Sequence, residues 1–381
     1  MPSRTDPLPT FLEISVSVNP VRVGVIGLGS VFEKYGKLLS EHVMEGGVEV
    51  VDVYDVVAER QDLQSARFGV SSPSSSADAL IARSDVDAVL VLTSMQQHGD
   101  LAIAAYESGK HILVEKPMAT TLEQAARLVE LSQNSDRHMV CAPHVLLSPT
   151  YRTMYDHLQA GAIGDVKLAR ALYGWSGPWW GQWFYKQGGG ALFDLGCYNF
   201  TSLCGFLGPV KRVTALVGTA IKERVVDGEM MKVEVDDNAH VLLDFGNEVY
   251  GSVTTGFTIQ KYGHAPAIEL FGLSGSMNMF GDDWAPRGFE QWRNEANCWE
   301  SFDETAPNWP WADGINHLID SIQQDAPTIT RPEHSYHVLE IMLAAQQSAR
   351  EGRAIDIVSD FPAPIYPAAA DVDRRVLHDP S

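Results

Sequence analysis

Short apolar runs separated by amphipathic stretches dominate the first third of the chain. The runs are rich in valine, isoleucine and leucine, which is typical of parallel strands buried on both faces. The stretches between them have the pattern of helices, and the connections are short. In chain order, the apolar runs occupy residues 21–26, 48–55, 86–92, 111–114 and 137–142. This alternation predicts an α/β fold with a doubly wound parallel sheet and right-handed crossovers.

A different pattern begins after Pro143. Longer segments alternate between apolar and polar positions, which predicts strands that cover a core with one face. Two late segments, 314–324 and 335–350, carry apolar stripes at helical spacing. The alternating segments lie at 210–220, 233–244, 248–259 and 267–271. We expect this part of the chain to be a C-terminal α/β domain with a large, open and mostly antiparallel sheet.

The chain of 381 residues is long for one domain and sufficient for two. The change of pattern predicts a dinucleotide-binding domain at 21–144 and a second domain at 145–362. The segment 1–20 contains four prolines and is expected to be a flexible arm. The proline-rich end, 363–381, is expected to be an irregular tail.

The formal net charge of −21 narrows the possible partners. Nucleic acid and anionic membranes both require a positive face, so neither is expected as a partner. No run approaches the roughly 20 apolar residues of a membrane span. The four cysteines show neither paired metal-ligand spacing nor a disulfide-rich pattern, so we expect no metal and a reducing cytoplasm. They are Cys141, Cys197, Cys204 and Cys298.

Two glycines, Gly27 and Gly29, follow the first apolar run and precede a helical stretch. At such a turn, glycines let the backbone of the following residues, Ser30 and Val31, approach a pyrophosphate at the helix N-terminus. The third position of the fingerprint is usually Gly or Ala, and here it is Phe32. We expect this departure to widen the spacing between the first helix and the sheet.

An acidic residue, Asp55, ends the second apolar run, about 26 residues after Gly29. A carboxylate near that spacing accepts hydrogen bonds from the ribose hydroxyls of NAD and repels the 2′-phosphate of NADP. No arginine immediately follows Asp55, and the nearest one is Arg60. The sequence therefore favours NAD over NADP. An ordinary turn aspartate at a strand end is the alternative.

The segment Val-Glu-Lys-Pro at 114–117 ends the fourth apolar run. Lys116 is expected at the carboxyl end of a buried strand, where open α/β sheets bind ligands. Pro117 restricts Lys116 to an extended conformation, which suits a catalytic group. Alone, the segment would equally describe a lysine that reaches from a strand end to water.

A second group of polar residues follows three glycines at 188–190. If a helix begins at Asp194, this residue and Tyr198 share one face. A lysine close to Tyr198 would lower the pKa of the phenol and make it a useful acid or base. A helix cap with a buried tyrosine is the alternative, and the Glu-Lys-Pro segment favours the proton-transfer interpretation.

These residues resemble the Gfo/Idh/MocA family (glucose–fructose oxidoreductase, inositol dehydrogenase and rhizopine catabolism), from about residue 21 to about residue 357. The motifs in order are Gly27-x-Gly29, Val-Glu-Lys-Pro at 114–117, Gly-Gly-Gly-Ala-Leu-Phe-Asp-Leu-Gly-Cys-Tyr at 188–198, Val-Asp-Asp-Asn at 235–238, Ile-Glu-Leu-Phe-Gly at 268–272 and Ser-Ala-Arg-Glu-Gly at 348–352. The resemblance implies an NAD(P)-dependent oxidoreductase with an N-terminal Rossmann domain. It also implies that the second domain binds substrate and that its open sheet joins subunits into a dimer or tetramer.

The resemblance assigns roles to individual residues. Lys116 takes the position of the catalytic lysine, and Asp194 that of an aspartate used for substrate binding or proton relay. Tyr198 stands where inositol dehydrogenase-like members have histidine and glucose–fructose oxidoreductase-like members have tyrosine. Beside the cofactor, the resemblance predicts Thr93, His98, Glu115 and Lys116.

Tryptophan and tyrosine are concentrated at 173–185. Flat rings cover the apolar faces of sugars, so we expect this segment, with Trp183, to form a wall of the substrate pocket. Packing in the core or at a subunit interface is the alternative. Five later tryptophans are assigned to packing or to an interface. They are Trp284, Trp292, Trp299, Trp309 and Trp311.

The expected reaction is hydride transfer between the nicotinamide and a carbinol or carbonyl carbon of a sugar, cyclic polyol or related diol. Lys116 and Tyr198 would form the proton-transfer pair, and Asp194 would bind a neighbouring hydroxyl. Two alternatives are an NAD-dependent glycoside hydrolase that oxidises its substrate transiently and a redox-inactive NAD-binding regulator. A methyltransferase that uses S-adenosylmethionine would leave the Glu-Lys-Pro segment unexplained.

Overall fold

A computed structural model of the chain describes residues 19–261, 265–303 and 306–366. The expected N-terminal arm lies outside these residues except for residues 19 and 20, and the expected tail does so from residue 367. The first part of the chain forms a parallel sheet in the order β2-β1-β3-β4-β5. Its strands are β1 (Val21–Ile26), β2 (Val48–Tyr54), β3 (Ala88–Val91), β4 (His111–Val114) and β5 (Met139–Cys141).

Helices connect these strands and cover both faces of the sheet. They are α1 (Phe32–Met44), α2 (Ala58–Phe68), α3 (Ala77–Ile81), α4 (Met95–Glu107) and α5 (Leu122–Gln133). The chain leaves β1 toward β2 on one side and returns to β3 on the other side. This reversal of strand order opens a crevice at the carboxyl ends of β1 and β3, where such sheets bind ligands.

The second part of the chain forms a nine-stranded sheet from described residues, in the order β15-β14-β13-β12-β6-β11-β10-β7-β16. Within this sheet β6 and β11 pair in parallel, and the other neighbours pair antiparallel. The strands are β6 (Val166–Gly174), β7 (Arg212–Gly218), β10 (Asn238–Gly246), β11 (Val249–Gly256), β12 (Ile268–Gly272), β13 (Gly275–Asp282), β14 (Ala285–Arg293), β15 (Cys298–Asp303) and β16 (Ile355–Asp356), with a separate hairpin of β8 (Glu223–Val226) and β9 (Glu229–Lys232).

One face of this sheet is packed and the other is open. Along β10, Ala239, Val241 and Leu243 are buried, whereas His240 and Leu242 between them are exposed. Helices cover the packed face, which is why the strands alternate with period two. These helices are α6 (Pro149–Gln159), α7 (Cys197–Leu207) and α9 (Pro332–Glu351).

Helix α8 (Gly314–Gln324) returns to the first sheet from the far end of the chain. Its apolar stripe of Ile315, Leu318 and Ile319 shares a core with Val25 of β1 and Leu39 of α1. One face of the nucleotide-binding sheet is therefore covered by a helix from the C-terminal part. The two parts of the chain are interleaved in space.

The observed architecture confirms the predicted fold class, with two differences in detail. The hairpin strands β13, β14 and β15 lie in a stretch where the apolar pattern had indicated no strand, because Gly281, Pro286 and Gly288 interrupt the alternation. Helix α5 is capped by Thr121, whose hydroxyl accepts the Gln124 N–H at 3.2 Å. The pattern Thr-x-x-Glu at 120–123 is that of a capping box, which would place the cap at Thr120, one residue earlier.

Within the described ranges, no helix is long and apolar enough to cross a bilayer. No group of three or more histidine, cysteine, aspartate and glutamate side chains within those ranges is arranged to hold a metal ion.

Candidate active site

The turn after β1 requires glycine for geometric reasons. Gly27 has a φ of 95°, and a Cβ there would lie 2.6 Å from the carbonyl carbon of Leu92, at the end of β3. A Cβ at Gly29 would meet only the guanidinium of Arg60, at 3.9 Å. The first glycine lets two strand ends approach closely, and the second keeps the outer side of the turn open for a ligand.

The N-terminus of α1 fits a phosphate group. The N-cap residue is Val31, whose side chain makes no capping hydrogen bond. Uncapped N–H groups at a helix start attract anions. Ser30 is exposed at the same turn. The turn therefore has the features of a pyrophosphate site that the glycine pattern predicts.

The ring of Phe32 is accommodated beside Gly36 of the same helix. The expected wider spacing between this helix and the sheet stays a prediction. The ring is fully buried and packs edge-on against Phe68, with centroids 6.4 Å apart. One turn later, a Cβ at Gly36 would lie 2.9 Å from the Phe32 ring. In the usual fingerprint, a glycine or alanine at position 32 needs little space. Here the larger ring of Phe32 occupies the space that Gly36, which has no side chain, leaves open.

Asp55 lies at the glycine turn, as its spacing predicts. Its carboxylate accepts the N–H of Leu28 at 2.7 Å and that of Val57 at 2.8 Å. The guanidinium of Arg60 lies 3.9 Å from the same carboxylate. Asp55 therefore shapes the turn, and because a carboxylate accepts about four hydrogen bonds, it retains capacity for a ribose hydroxyl.

His98 links the loops that follow β3 and β4. Its Nδ1 lies 2.8 Å from the carbonyl of Pro117, and its Nε2 lies 3.0 Å from the carbonyl of Thr93. The ring is 1% exposed, and burial lowers its pKa although both carbonyls favour the protonated form. Through these two contacts, His98 holds together the loops that border the predicted cofactor site. Thr93, which is half-buried, remains the predicted direct contact.

The structure brings together Lys116, Asp194 and Tyr198. Lys116 Nζ donates to Asp194 Oδ1 at 2.6 Å and to the Asp194 carbonyl at 2.8 Å. The same ammonium lies 5.1 Å from the centroid of the Tyr198 ring, a cation–π distance. Both charged side chains are almost fully buried. The expected meeting of the strand-end lysine with the glycine-flanked pair is therefore present in the structure.

The electrostatics of this group differ from expectation at Tyr198. Burial alone lowers the pKa of Lys116, but the attraction of Asp194 outweighs it and raises the pKa above its usual value. Burial raises the pKa of Tyr198 well above its usual value, and the nearby Glu115 raises it further. The expected lowering of the Tyr198 pKa is wrong for this structure, because desolvation and acidic neighbours dominate over the lysine.

Asp194 lies in a π-helical turn, Leu192–Gly196, that leads into α7. The carboxylate of Asp236 accepts the Leu192 N–H and the side-chain amide of Gln346, each at 3.0 Å. A Cβ at Gly190 would lie 2.8 Å from the same carboxylate. π-helical turns are frequent at functional sites. Asp236, which sequence reasoning did not assign to the site, holds the turn that presents Asp194.

A buried chain of hydrogen bonds lies behind Lys116. Tyr35 of α1 lies 2.8 Å from Glu115 Oε1 and 2.8 Å from His144 Nε2. Glu115 Oε2 accepts the N–H of Lys116 at 3.0 Å. Glu115 is 4% exposed, so its side chain supports the Lys116 backbone from inside the protein. The sequence contains no local signal for the involvement of Tyr35 and His144.

A narrow crevice lies beside Tyr198. We call it the tryptophan crevice, because three of the tryptophans assigned to packing or to an interface form its walls. It is too narrow in this state to hold a water molecule. Its principal lining residues are Glu115, His144, Tyr198, Trp284, Trp309 and Trp311.

Trp183 occupies a different position. Its ring stacks on Phe184 with centroids 3.7 Å apart, and its backbone carbonyl accepts the side-chain amide of Gln96 at 3.2 Å. This contact links the aromatic segment to the start of α4. A contact between Trp183 and substrate stays a prediction.

Two family profiles match the chain. One, described as an oxidoreductase family with an NAD-binding Rossmann fold, matches residues 21–142. The other, described as the GFO/IDH/MocA C-terminal domain, matches residues 151–278. Together they cover both parts of the structure and the segments that supply Lys116, Asp194 and Tyr198.

Several curated proteins are similar in sequence. Inositol 2-dehydrogenase 3 of Saccharopolyspora erythraea is 34% identical over 154 residues, which span 40% of this chain and 45% of that protein. The scyllo-inositol 2-dehydrogenase (NAD(+)) of Bacillus subtilis is 26% identical over 260 residues, 68% of this chain and 73% of that protein. The chain spans about half the length of several curated relatives that it matches.

A solved structure supports the fold. Levoglucosan dehydrogenase in complex with NADH and levoglucosan superposes with a TM-score of 0.79 at 21% identity, covering 89% of this chain and 99% of that one. The expectation of an oxidoreductase with an NAD-binding Rossmann domain is confirmed at the level of the family. The chain belongs to the Gfo/Idh/MocA family of NAD-binding oxidoreductases.

Proposed function

We propose that the protein is an NAD-dependent dehydrogenase or reductase of a sugar or cyclic polyol. The observation that carries this proposal is the ion pair of Lys116 with Asp194, at 2.6 Å, beside the ring of Tyr198. The group follows the carboxyl end of β4, at the edge of the sheet where the glycine turn also lies. Relatives of the chain, which include inositol 2-dehydrogenases and levoglucosan dehydrogenase, support the same substrate class.

The glycine turn, the uncapped start of α1 and Asp55 fit a dinucleotide. Gly27, Gly29, Ser30 and Val31 would hold its pyrophosphate through backbone N–H groups, and Asp55 a ribose hydroxyl. NAD, when bound, supplies the hydride chemistry. NADP is less favoured, because the Asp55 carboxylate would repel a 2′-phosphate.

Lys116 is prepared to bind the reacting oxygen. An ammonium has three N–H donors, and Asp194 accepts two of them. The third is available for the substrate oxygen. Because its pKa is raised, Lys116 stays charged at neutral pH and stabilises negative charge that develops on that oxygen.

Tyr198 is the proposed partner in proton transfer. Its raised pKa keeps the phenol neutral, so it acts as the proton donor when a carbonyl is reduced. Asp194 keeps Lys116 oriented and is the proposed acceptor for a neighbouring substrate hydroxyl. In these roles Tyr198 is a neutral proton donor, and the expected lowering of its pKa is not needed.

The test is a screen of sugars and cyclic polyols with NAD and NADP in parallel, followed by Lys116→Ala. Loss of the ammonium should lower kcat by about 100-fold or more, because it removes charge stabilisation at the reacting oxygen. NADH affinity, measured by fluorescence titration, should change little. An unchanged kcat in a folded, NADH-binding variant would show that Lys116 is not catalytic.

The same screen separates the alternatives. A dehydrogenase produces a net absorbance change at the nicotinamide band, whereas a glycoside hydrolase with transient oxidation releases product without one. A redox-inactive regulator binds NADH and turns over none of the compounds.

The open face of the nine-stranded sheet is the proposed subunit interface of a dimer or tetramer. Apolar side chains cluster there on neighbouring strands, and such exposed patches mark interaction sites. They belong to Leu168 of β6, Leu216 of β7, Leu242 of β10 and Tyr250 of β11. A reducing cytoplasm is the proposed location, in keeping with four free cysteines.

A further inference from the structure

The turn between β13 and β14 carries a carboxyl group into the protein interior. The turn consists of Asp283 and Trp284, because Asp282 at the end of β13 pairs with Ala285 at the start of β14. Connecting turns usually run over the surface, where water pairs with their polar groups. Asp283 is instead 1% exposed. Aspartate is rarely buried to this extent unless its carboxyl group is paired, so its contacts need an explanation.

Asp283 binds the helical turn that carries Tyr198. Its Oδ2 accepts the side-chain N–H of Asn199 at 3.0 Å and the hydroxyl of Ser202 at 3.3 Å. Asn199 follows Tyr198 directly in α7, and Ser202 lies one helical turn after Tyr198 on the same face. The hairpin turn therefore fixes the start of the helix that presents the proposed proton donor.

Aromatic rings connect the same hairpin turn to Tyr198 by a second route. The Trp284 ring lies against Tyr173 of β6, with centroids 6.4 Å apart. The Tyr173 ring in turn packs edge-on against Tyr198, with centroids 5.6 Å apart. Because Asp283 and Trp284 are adjacent, the hairpin turn supports Tyr198 both through its helix and through its ring.

The carboxyl groups around Tyr198 differ in their positive partners. Glu115, Asp194 and Asp283 all raise the pKa of the phenol by their negative charge. The ammonium of Lys116 attracts both Asp194 and Glu115. The donors to Asp283 are an amide and a hydroxyl, which are uncharged. Because a buried carboxylate without a cation is costly, Asp283 is the carboxyl group of the three that most readily keeps its proton.

The pairing of individual oxygen atoms also favours a neutral acid. Asp283 Oδ1 is buried without a hydrogen-bond partner among the described residues, and so is Asn199 Oδ1. An unpaired oxygen is especially unfavourable when it belongs to an ionised carboxylate. A protonated Oδ1 is a donor, and the amide oxygen of Asn199 is an acceptor that lacks one. Burial and the nearby Asp282 raise the pKa of Asp283 to about 7, so both forms occur near neutral pH.

The titratable groups around the hairpin turn come from β13, β6 and α7. They are Asp282, Tyr173, Cys197 and Tyr198. Glu115, Asp194 and Lys116 lie on the other side of the phenol. Burial raises the pKa values of Tyr173, Cys197 and Tyr198, so these three groups stay neutral near neutral pH. Asp283, by contrast, changes its charge in that range.

We propose that Asp283 is a positioning residue for the reaction, which as a neutral acid holds the Tyr198 turn without adding negative charge to it. This inference rests on the proposed function, in which Tyr198 gives its proton to a substrate carbonyl. When Asp283 ionises, a further negative charge acts on the phenol, which then releases its proton less readily. Carbonyl reduction should therefore slow as the pH rises through about 7.

The experiment compares wild type with Asp283→Asn in the full chain, from mildly acidic to mildly alkaline pH. Asparagine has the shape of the neutral acid, accepts and donates hydrogen bonds, and carries no charge at any pH. The probes are 2-keto-myo-inositol and 1,5-anhydro-D-fructose, each reduced with NADH. Both kcat and KM are measured at each pH.

The matched control is Asp244→Asn, which removes a carboxylate that is paired with Arg212 at 2.7 Å. Asp244 is opposite Tyr250, which pairs with Leu168 near the start of β6, whereas Tyr173 lies near the end of that strand. The control therefore makes the same chemical change at the far end of the sheet. A third variant, Asp282→Asn, keeps Asp283 but removes the neighbouring charge that raises its pKa.

The kcat of wild type should fall by about tenfold from acidic to alkaline pH, with little change in KM. Asp283→Asn should keep most of the activity at acidic pH and should lose this decline. In Asp282→Asn the decline should move to lower pH, because Asp283 then ionises more easily. Asp244→Asn should have the profile of wild type.

Infrared difference spectra give a readout that does not depend on turnover. At acidic pH the spectrum of wild type should contain the C=O stretch of a protonated carboxyl group, which disappears at alkaline pH. The same band should be absent from Asp283→Asn at every pH. A wild-type spectrum identical to that of the variant would mean that Asp283 is ionised throughout, and the inference would be wrong.

Equal pH profiles of wild type and Asp283→Asn, with turnover intact, would also overturn the inference and leave the proposed function standing. If Asp283→Asn does not fold, the profile of Asp282→Asn decides: a shift supports the inference, and an unchanged profile rejects it. If wild type binds NADH but reduces neither ketone, the proposed substrate class is wrong, and the role of Asp283 in that reaction is rejected with it.

Discussion

At the scale of single residues, Lys116 and Asp194 could be paired from the sequence although they stand 78 positions apart. A lysine at the end of a buried strand and a glycine-flanked acid both mark positions where a chain faces a ligand. His144 and Trp309 gave no such signal. They lie beside Tyr198 because of the path that the chain takes through α8, and no local sequence pattern predicts that path.

Asp283, a buried carboxylate behind Tyr198, provides a test of the electrostatics at this scale. Its Oδ2 accepts from Asn199 at 3.0 Å and from Ser202 at 3.3 Å. Burial and, to a smaller extent, the neighbouring Asp282 raise its pKa to about 7, although the hydrogen bonds from Asn199 and Ser202 lower it. The folded protein therefore binds this proton more tightly than the unfolded chain does.

This difference in proton affinity makes the free energy of unfolding depend on pH. The stabilising contribution of the protonated Asp283 is complete below about pH 4 and is lost as the pH rises to about 7. Relative to Asp283→Asn, the wild type should lose up to about 4 kcal/mol of unfolding free energy over that interval. Denaturant unfolding of both proteins between pH 4 and 8 measures this difference. A difference that does not vary with pH would show that Asp283 titrates normally.

At the scale of elements, strands and helices with strong periodicity were predictable, and α8 was predicted with its observed bounds, Gly314–Gln324. The hairpins of β13 to β15 were not, because glycine and proline interrupt their alternation. The π-helical turn at Leu192–Gly196 was not predicted either. It depends on Asp236, which approaches from 44 residues away in the sequence.

The support that Asp236 gives to this turn leads to a prediction. Asp236→Ala removes the acceptor for Leu192 N–H and should destabilise the fold by about 1–3 kcal/mol. Displacement of Asp194 should also lower kcat by about tenfold or more, because small shifts of catalytic groups are costly. Kinetics and denaturant unfolding check the two effects, and NADH affinity should be unchanged.

Asp236→Asn is the matched control. Its amide oxygen can accept the Leu192 N–H, and Gln346 can turn its own amide to accept the new N–H₂ group. This variant should retain most of the activity. If the asparagine and alanine variants lose activity equally, Asp236 acts through its charge and not by holding the turn.

At the scale of the whole molecule, the open sheet face determines how copies of the chain could associate. Leu242 of β10 is 59% exposed on this face. If the face is the subunit interface, Leu242→Glu places a charge in it and should convert the oligomer to a monomer in analytical ultracentrifugation. Val56→Glu, at an exposed apolar position of the nucleotide-binding part, is the control and should leave the assembly intact. Equal sedimentation of all three proteins would place the interface elsewhere.

The domain boundary at 144/145 stays a prediction. Helix α8 lies on the C-terminal side of this boundary in the chain but packs on the sheet that precedes it. Residues 21–144 contain every strand of the first sheet, but Ile315, Leu318 and Ile319 complete the core on one of its faces. A fragment that ends at residue 144 would expose the apolar surface of Val25 and Leu39 to water. The core of the nucleotide-binding sheet is therefore completed by a helix that comes much later in the chain, after the strands of the second sheet.

This arrangement limits how the protein could have been assembled or could be rebuilt. A recombination that exchanged the C-terminal part for that of another enzyme would also replace the helix that seals the nucleotide-binding sheet. Successful chimeras should therefore need two further junctions, one before residue 314 and one after residue 324, so that α8 is inherited together with the sheet it covers.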